Sequence, residues 1–248
     1  MMVQLAFKDS AQITVDFWGL PNPFRWENIA FGFTVTIGCI ANSMLVSGLV
    51  CALTLVLAAL AAYSFSHLRF CGSEAVFLLV VGLLMVPGVL VLVPLFLTTR
   101  DLGLINSYWG LILPQVAGGL PLGILFLRSF FDGLPADLFD AARIDGASEA
   151  SVLRHVVTPL SKPILSTVAV LNILATWNNY VWPLVVLRDA SLRTIPLGLA
   201  FLVTEYDLQR QPCKQMAAFA VASIPMIVCF LVAMRPFMRG ITSGALKA

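Results

Sequence analysis

The sequence predicts an all-α polytopic membrane protein with five transmembrane helices, and three observations lead there. Of its 248 residues, 59% are apolar and only 11% charged, and mean hydropathy is +0.93, far from the usage of a soluble domain. The apolar residues gather into runs that approach or exceed the roughly 20 residues a helix needs to cross a ~30 Å hydrocarbon core. Helices are the only plausible spanning form, because open strands leave backbone groups unpaired in lipid.

In chain order the runs are Thr34 to Tyr63, Ala75 to Leu97, Gly110 to Leu127, Ile164 to Leu187 and Met216 to Met234, and none contains Asp, Glu, Lys or Arg. Residues 1–33 precede them as an N-terminal segment that mixes polar and apolar residues and shows no cleavable signal, so it is expected outside the bilayer, on the extracytoplasmic side. Residues 34–248 form the membrane domain. The connection between the fourth and fifth runs contains an apolar stretch, Ile195 to Val203, suited to the membrane interface.

The connection between the third and fourth runs, residues 128–163, carries helix signals throughout. Pro135 suits a first helical turn, and Asp137 and Asp140 lie near the favourable end of a helix dipole. A short helix from about Ala136 to Ile144 is expected. Asp145 and Gly146 then suit the left-handed turn that closes a helix, and Ser148 suits the cap of a second one ending before Thr158-Pro159. On these signals alone a solvated helical hairpin between two spans is the favoured reading.

Charge and cysteine content exclude more than they identify. A net charge of +2 with no Lys- or Arg-rich run gives no reason to expect nucleic-acid binding. The 15 Lys and Arg residues divide almost evenly between the two sides, so charge bias barely sets orientation. The five cysteines have no metal-ligand spacing, and His67 and His155 are expected as surface residues of loops. No metal site, cofactor or catalytic residue is indicated, and no phosphate-binding GxxxxGK[ST] motif is present, so any ATP hydrolysis belongs to a separate subunit. No carboxylate lies in any of the five runs, which leaves a proton-driven secondary transporter without a carrier.

Polar groups inside a membrane usually face a bundle interior or a wet path. The fourth run holds Asn172, Thr176, Asn179 and Pro183 at helical spacing, with Trp177, Asn178, Tyr180 and Trp182 beside them. Amides and aromatic rings together suit an uncharged polyhydroxylated ligand. The alternative is that the amides tie helices together while Tyr180 and Trp182 sit at the interface. For Asn42 and Gln115 helix-to-helix bonding is the preferred reading.

The segment Asp140-Ala141-Ala142-Arg143-Ile144-Asp145-Gly146-Ala147, followed by Pro159-Leu160 and Pro163, resembles the EAA loop of permease subunits of ABC-type importers. Further matches to the carbohydrate-uptake branch of that family are Asn42-Ser43, Val93-Pro94-Leu95-Phe96, Leu102-Gly103-Leu104-Ile105-Asn106, Leu113-Pro114, Trp177-Asn178 and the ending Gly244-Ala245-Leu246-Lys247. The resemblance implies a multi-pass inner-membrane permease that works with a second permease subunit, forming a heterodimer, with two ATPase subunits at the cytoplasmic face and with an extracytoplasmic solute-binding protein. It further implies that Asp140, Ala141, Ala142, Asp145, Gly146 and Ala147 belong to a cytoplasmic coupling helix docked on an ATPase. Two departures stand out. Asp140 replaces the family's leading Glu, one methylene longer. The family's usual six spans include a first one without a counterpart in these residues; a start at an internal methionine of a longer or truncated gene is the favoured expectation, a five-span form with its N-terminus outside is the other, and a truncated non-functional permease is an alternative function.

Overall fold

The computed structural model describes residues 1–68 and 70–245, with side chains through Leu231. Leu246 and Lys247 of the matched ending lie outside the described residues, as do the side chains at the end of the fifth run. Nearly all of the described chain is helical and no strand occurs in it. The helices are α1 (Met2–Ala6), α2 (Ser10–Val15), α3 (Trp26–Tyr63), α4 (Ser73–Gly82), α5 (Gly88–Asp101), α6 (Tyr108–Phe131), α7 (Ala136–Ile144), α8 (Glu149–Val152), α9 (Thr158–Leu160), α10 (Lys162–Trp177), α11 (Val181–Val186), α12 (Ile195–Glu205) and α13 (Pro212–Ala245).

Three of these are each long and apolar enough to cross a membrane: α3 with its continuation to Leu68, α6 and α13. The count reaches five when each of two bent pairs is taken as one span. The run expected as the second span turns by 104° between Met85 and Gly88. Its cause is Pro87: the ring excludes Val86 from helical geometry, and both residues adopt extended conformations. Hydropathy reads through such a bend because Val86 and Pro87 interrupt the backbone without interrupting the apolar run.

The second bend, 81°, falls at Ser161 between α9 and α10. Here the helix runs past Thr158-Pro159, where it was expected to stop. A π-helical turn over Leu153–Val157 intervenes, and Thr158 Oγ1 donates to the Leu153 carbonyl at 2.7 Å. The wider winding accommodates a proline whose missing N–H would break an ordinary turn.

The fourth run is also divided. Helix α10 ends at Trp177, Asn178 to Tyr180 are non-helical, and α11 restarts at Val181. Pro183 has no N–H to give the Asn179 carbonyl four residues earlier, and Asn179 Oδ1 instead accepts the Trp182 N–H at 3.2 Å. The predicted helical spacing of Asn172, Thr176, Asn179 and Pro183 therefore holds only as far as Trp177.

The chain forms two compact units. One comprises Met1–Ser47, Gly103–Leu111 and Trp177–Val232. Its apolar centre is Ile40, Trp177, Ile195, Val221 and Ala222. Asn42 is its polar hub: Nδ2 donates to the carbonyls of Ser191 at 2.7 Å and Arg193 at 3.0 Å, and Oδ1 accepts the Tyr108 hydroxyl at 2.7 Å. Next to it Ser43 Oγ accepts the Ile195 N–H at 2.8 Å, which starts α12. Asn106, at φ 59°, holds the same connection from another side, accepting the N–H groups of Arg188 at 2.9 Å and Asp189 at 3.0 Å. Asn42 thus ties helix to chain, as its place in an apolar run suggested. Cys213 lies in the first turn of α13 and is buried.

The other unit comprises Gly48–Leu102, Ile112–Thr176 and the residues from Ala233. Ala58, Ala62, Tyr63, Ile124, Leu127, Phe131, Phe139, Val152, Val157 and Val168 form its core. Small residues let α3, α6 and α10 approach: a Cβ on Gly123 would lie 3.1 Å from Ala58 Cβ, and one on Gly119 only 2.6 Å from Asn172 Nδ2. Outward, Leu79, Met85, Val89 and Leu90 are each at least 70% exposed, an apolar surface that matches lipid as the surrounding solvent.

Replacing Asn42 by Ala leaves the Ser191 and Arg193 carbonyls and the Tyr108 hydroxyl without their partner, at a cost of about 1–3 kcal/mol. Thermal unfolding in detergent should show a lower midpoint for this variant, and an unchanged midpoint would show the hub to be dispensable.

Candidate functional site

Residues 128–163 stand on the second unit and are anchored at both ends. At the start, Arg128 in the last turn of α6 donates to Glu74 at 2.5 Å, lies 3.9 Å over the Phe77 ring and pairs with Asp132 at 3.6 Å. Asp132 also accepts the Ser66 hydroxyl. Further along, Phe139 of α7 packs into the core with Val152 and Val157. The amphipathic spacing of α7 explains this: Phe139 and Ala142, three residues apart, share one face.

Helix α7 begins after Pro135, whose extended conformation precedes the first turn, and carries Asp137 there. It ends in a Schellman closure. The Gly146 N–H donates to the Arg143 carbonyl and the Ala147 N–H to the Ala142 carbonyl, each at 3.0 Å, with Gly146 at φ 78°. Ser148 then caps α8 by accepting the Ser151 N–H at 3.4 Å. The helix, tight turn and second helix are thus formed by local chemistry.

This geometry sorts the coupling residues that the sequence singled out. Asp140, Ala141, Asp145 and Gly146 are exposed, whereas Ala142 and Ala147 are partly buried and pack on the core. The outward face also carries two large apolar side chains that motif reading passed over, Leu138 at 39% exposure and Ile144 at 86%. The result is an apolar stripe of Leu138, Ala141 and Ile144 edged by Asp137, Asp140 and Asp145.

Behind the helix lies a polar network that sequence reasoning missed. The Tyr63 hydroxyl, at the end of α3, donates to Glu149 Oε2. Arg143 Nε donates to Glu149 Oε1 at 3.2 Å, and its Nη1 lies 3.9 Å from Asp140. The hydrogen bond from Tyr63, with a further one from Arg143, holds the Glu149 carboxyl below its ordinary range against partial desolvation. His67, expected at the surface, is half-buried: it stacks on Tyr63 at 5.2 Å and meets Phe139 at 3.9 Å. The i, i+4 spacing of Tyr63 and His67 at the end of an apolar run was the available signal. His155 is exposed as expected.

The residues proposed from sequence for a solute path divide between the units. Asn172 and Thr176 belong to the second; Trp177, Asn178 and Asn179 belong to the first. Asn172 is buried, with its Oδ1 making no hydrogen bond among the described residues, and the same holds for Thr54 Oγ1. Both side chains border Gly119, Asn172 through its amide nitrogen and Thr54 through its methyl and hydroxyl. Asn178 and Tyr180 are exposed, Asn179 is half-buried at the start of α11, and Trp177 is buried in the first unit's core.

Gly146 has open space around the position of a Cβ, so only its backbone conformation opposes substitution. Gly146→Ala should destabilise the α7 terminus by about 1–2 kcal/mol, and Gly146→Asn by less, since Asn tolerates the left-handed region. Amide hydrogen exchange over residues 142–147 measures both, and equal effects of Ala and Asn would contradict this account.

Comparison with known proteins bears on the same segments. Residues 54–243 match the family described as binding-protein-dependent transport system inner membrane component. The probable ABC transporter permease protein YurM of Bacillus subtilis is 36% identical over 247 residues, covering 99% of this chain and 82% of the relative. The arabinooligosaccharides transport system permease protein AraQ of the same species is 34% identical over 92% of this chain and 80% of its own length. The trehalose/maltose transport system permease protein MalG of Thermococcus litoralis is 35% identical, over 83% and 74%. In fold, the chain is similar to a subunit in the crystal structure of a bacterial ABC transporter involved in the import of the acidic polysaccharide alginate, with a TM-score of 0.80 at 22% identity over 94% of this chain and 88% of that one. The chain belongs to the family of inner-membrane components of binding-protein-dependent transport systems.

Proposed function

We propose that this chain is one of two permease subunits of an ATP-driven carbohydrate importer, and that α7 is the helix through which it engages a separate ATPase subunit. The observation that carries the reading is the outward face of α7. Ile144, Ala141 and Leu138 offer an apolar stripe to a partner cleft, Asp137, Asp140 and Asp145 offer charge to basic groups at its rim, and the reversal at Gly146 lets the chain leave at once. A helix wedged into a cleft transmits motion because packed interfaces switch between discrete arrangements. On this reading ATP binding closes the paired ATPases and favours an outward-open path, into which the binding protein releases its solute, and hydrolysis resets it.

Carbohydrate is the favoured solute because the named relatives transport arabinooligosaccharides, trehalose and maltose. The apolar runs contain amides and hydroxyls but no Lys or Arg, which suits neutral hydroxylated ligands better than anionic ones. Asn172, with an unpaired buried amide oxygen, and Thr176 are the path candidates of the second unit. Trp177, Asn178 and Asn179 are those of the first, with Trp177 contributing to packing.

Co-purification with the importer's ATPase subunit tests the docking role. Ile144→Asp should lower the retained ATPase at least about tenfold at equal expression, because it places a charge where apolar surface is buried. Retention equal to wild type would remove α7 from the interface. Uptake by the complete importer in proteoliposomes tests the solute class. A neutral probe such as maltotriose should be transported at least about tenfold faster than trigalacturonate, and the reverse order would overturn the neutral-sugar reading.

A further inference from the structure

The end of α3 meets the loop at two places of different physical character. His67 lies against Phe139 in the middle of α7, a ring-to-ring contact of 3.9 Å between centroids that holds the helix close. The Glu149 carboxylate is directional. One oxygen is engaged by Tyr63 from α3 and the other by Arg143 from the last turn of α7, while Glu149 itself opens α8 beyond the Gly146 turn. Three elements therefore converge on one planar group.

We propose that Tyr63, Glu149 and Arg143 form a strut that sets the angle of α7 against the end of α3 and passes movement between them, so that Tyr63 and Glu149 are positioning residues for coupling. This rests on the reading of α7 as the ATPase-docking helix. Two observations favour a mechanical role over a purely stabilising one. The Arg143 and Glu149 side chains are both 44% exposed, and an ion pair so solvated adds little to stability. The Tyr63 ring, by contrast, is buried in the core at 3% exposure, with its hydroxyl alone directed at the loop. A rigid lever in the core thus ends in a directional contact with a solvated turn.

The test uses the complete importer in lipid nanodiscs, with its partner permease, ATPase subunits and binding protein, and with MgATP as the probe. Y63F keeps the ring and its stacking on His67 and removes only the hydroxyl. E149Q keeps an acceptor for Tyr63 and removes the charge that Arg143 reads. Each variant should retain the ATPase subunit and its KM for MgATP within about twofold, while kcat falls about fivefold or more, and the double variant should be no worse than the worse single one. Unchanged kcat in both variants, independent multiplying losses in the double variant, or loss of ATPase retention together with kcat would each overturn the strut. Full ATPase retention by Ile144→Asp would instead remove the docking reading, and the strut with it.

Discussion

Backbone amides and carbonyls have no water to turn to inside a bilayer, and each one left unpaired costs several kcal/mol. The described departures from helix within the apolar runs are either patched by a side chain or short, and side chains from those runs also hold the neighbouring connections. The gap at Asn178 to Tyr180 is three residues long, and Asn179 accepts the Trp182 N–H across it. The connection from Leu187 to Thr194 is held by Asn42, Ser43 and Asn106. In α3 the polar positions Asn42 and Ser43 supply hydrogen bonds to the backbone of that connection and of the start of α12. The bend at Val86 and Pro87 needs less help, because one of its residues has no N–H to satisfy.

The same constraint separates the two kinds of polar residue in the runs. Asn42 has both ends of its amide engaged, and it acts as structure. Asn172 has a buried oxygen with no hydrogen bond among the described residues, and its amide nitrogen lies where a Cβ on Gly119 would come within 2.6 Å. An unsatisfied acceptor at such a depth is costly, and its persistence is the physical reason to keep Asn172 among the residues that meet solute or water.

What was legible in the sequence had local causes. Helix α7, its Schellman closure and the Ser148 cap each depend on residues within six positions of one another, and they were read before any fold was known. The π-helical turn at Leu153–Val157 was not, because nothing about Thr158-Pro159 distinguishes a helix stop from a proline taken up by wider winding. Nor was the Tyr63–Glu149 contact, whose partners are 86 residues apart and become neighbours only when α3 and the loop pack on one core. Ile144 was passed over for another reason: motif reading attends to the residues that match, and this large exposed side chain lies between them.

The division into units has a practical consequence for following the molecule in solution. All five tryptophans, Trp18, Trp26, Trp109, Trp177 and Trp182, belong to the unit that holds the Asn42 hub, and the unit bearing α7 has none. Intrinsic indole emission therefore reports on one half of the permease alone. Its buried Trp177 and Trp182 would sense rearrangement there, while the region around α7 stays spectroscopically dark and open to a single introduced tryptophan as a background-free reporter of its own movement.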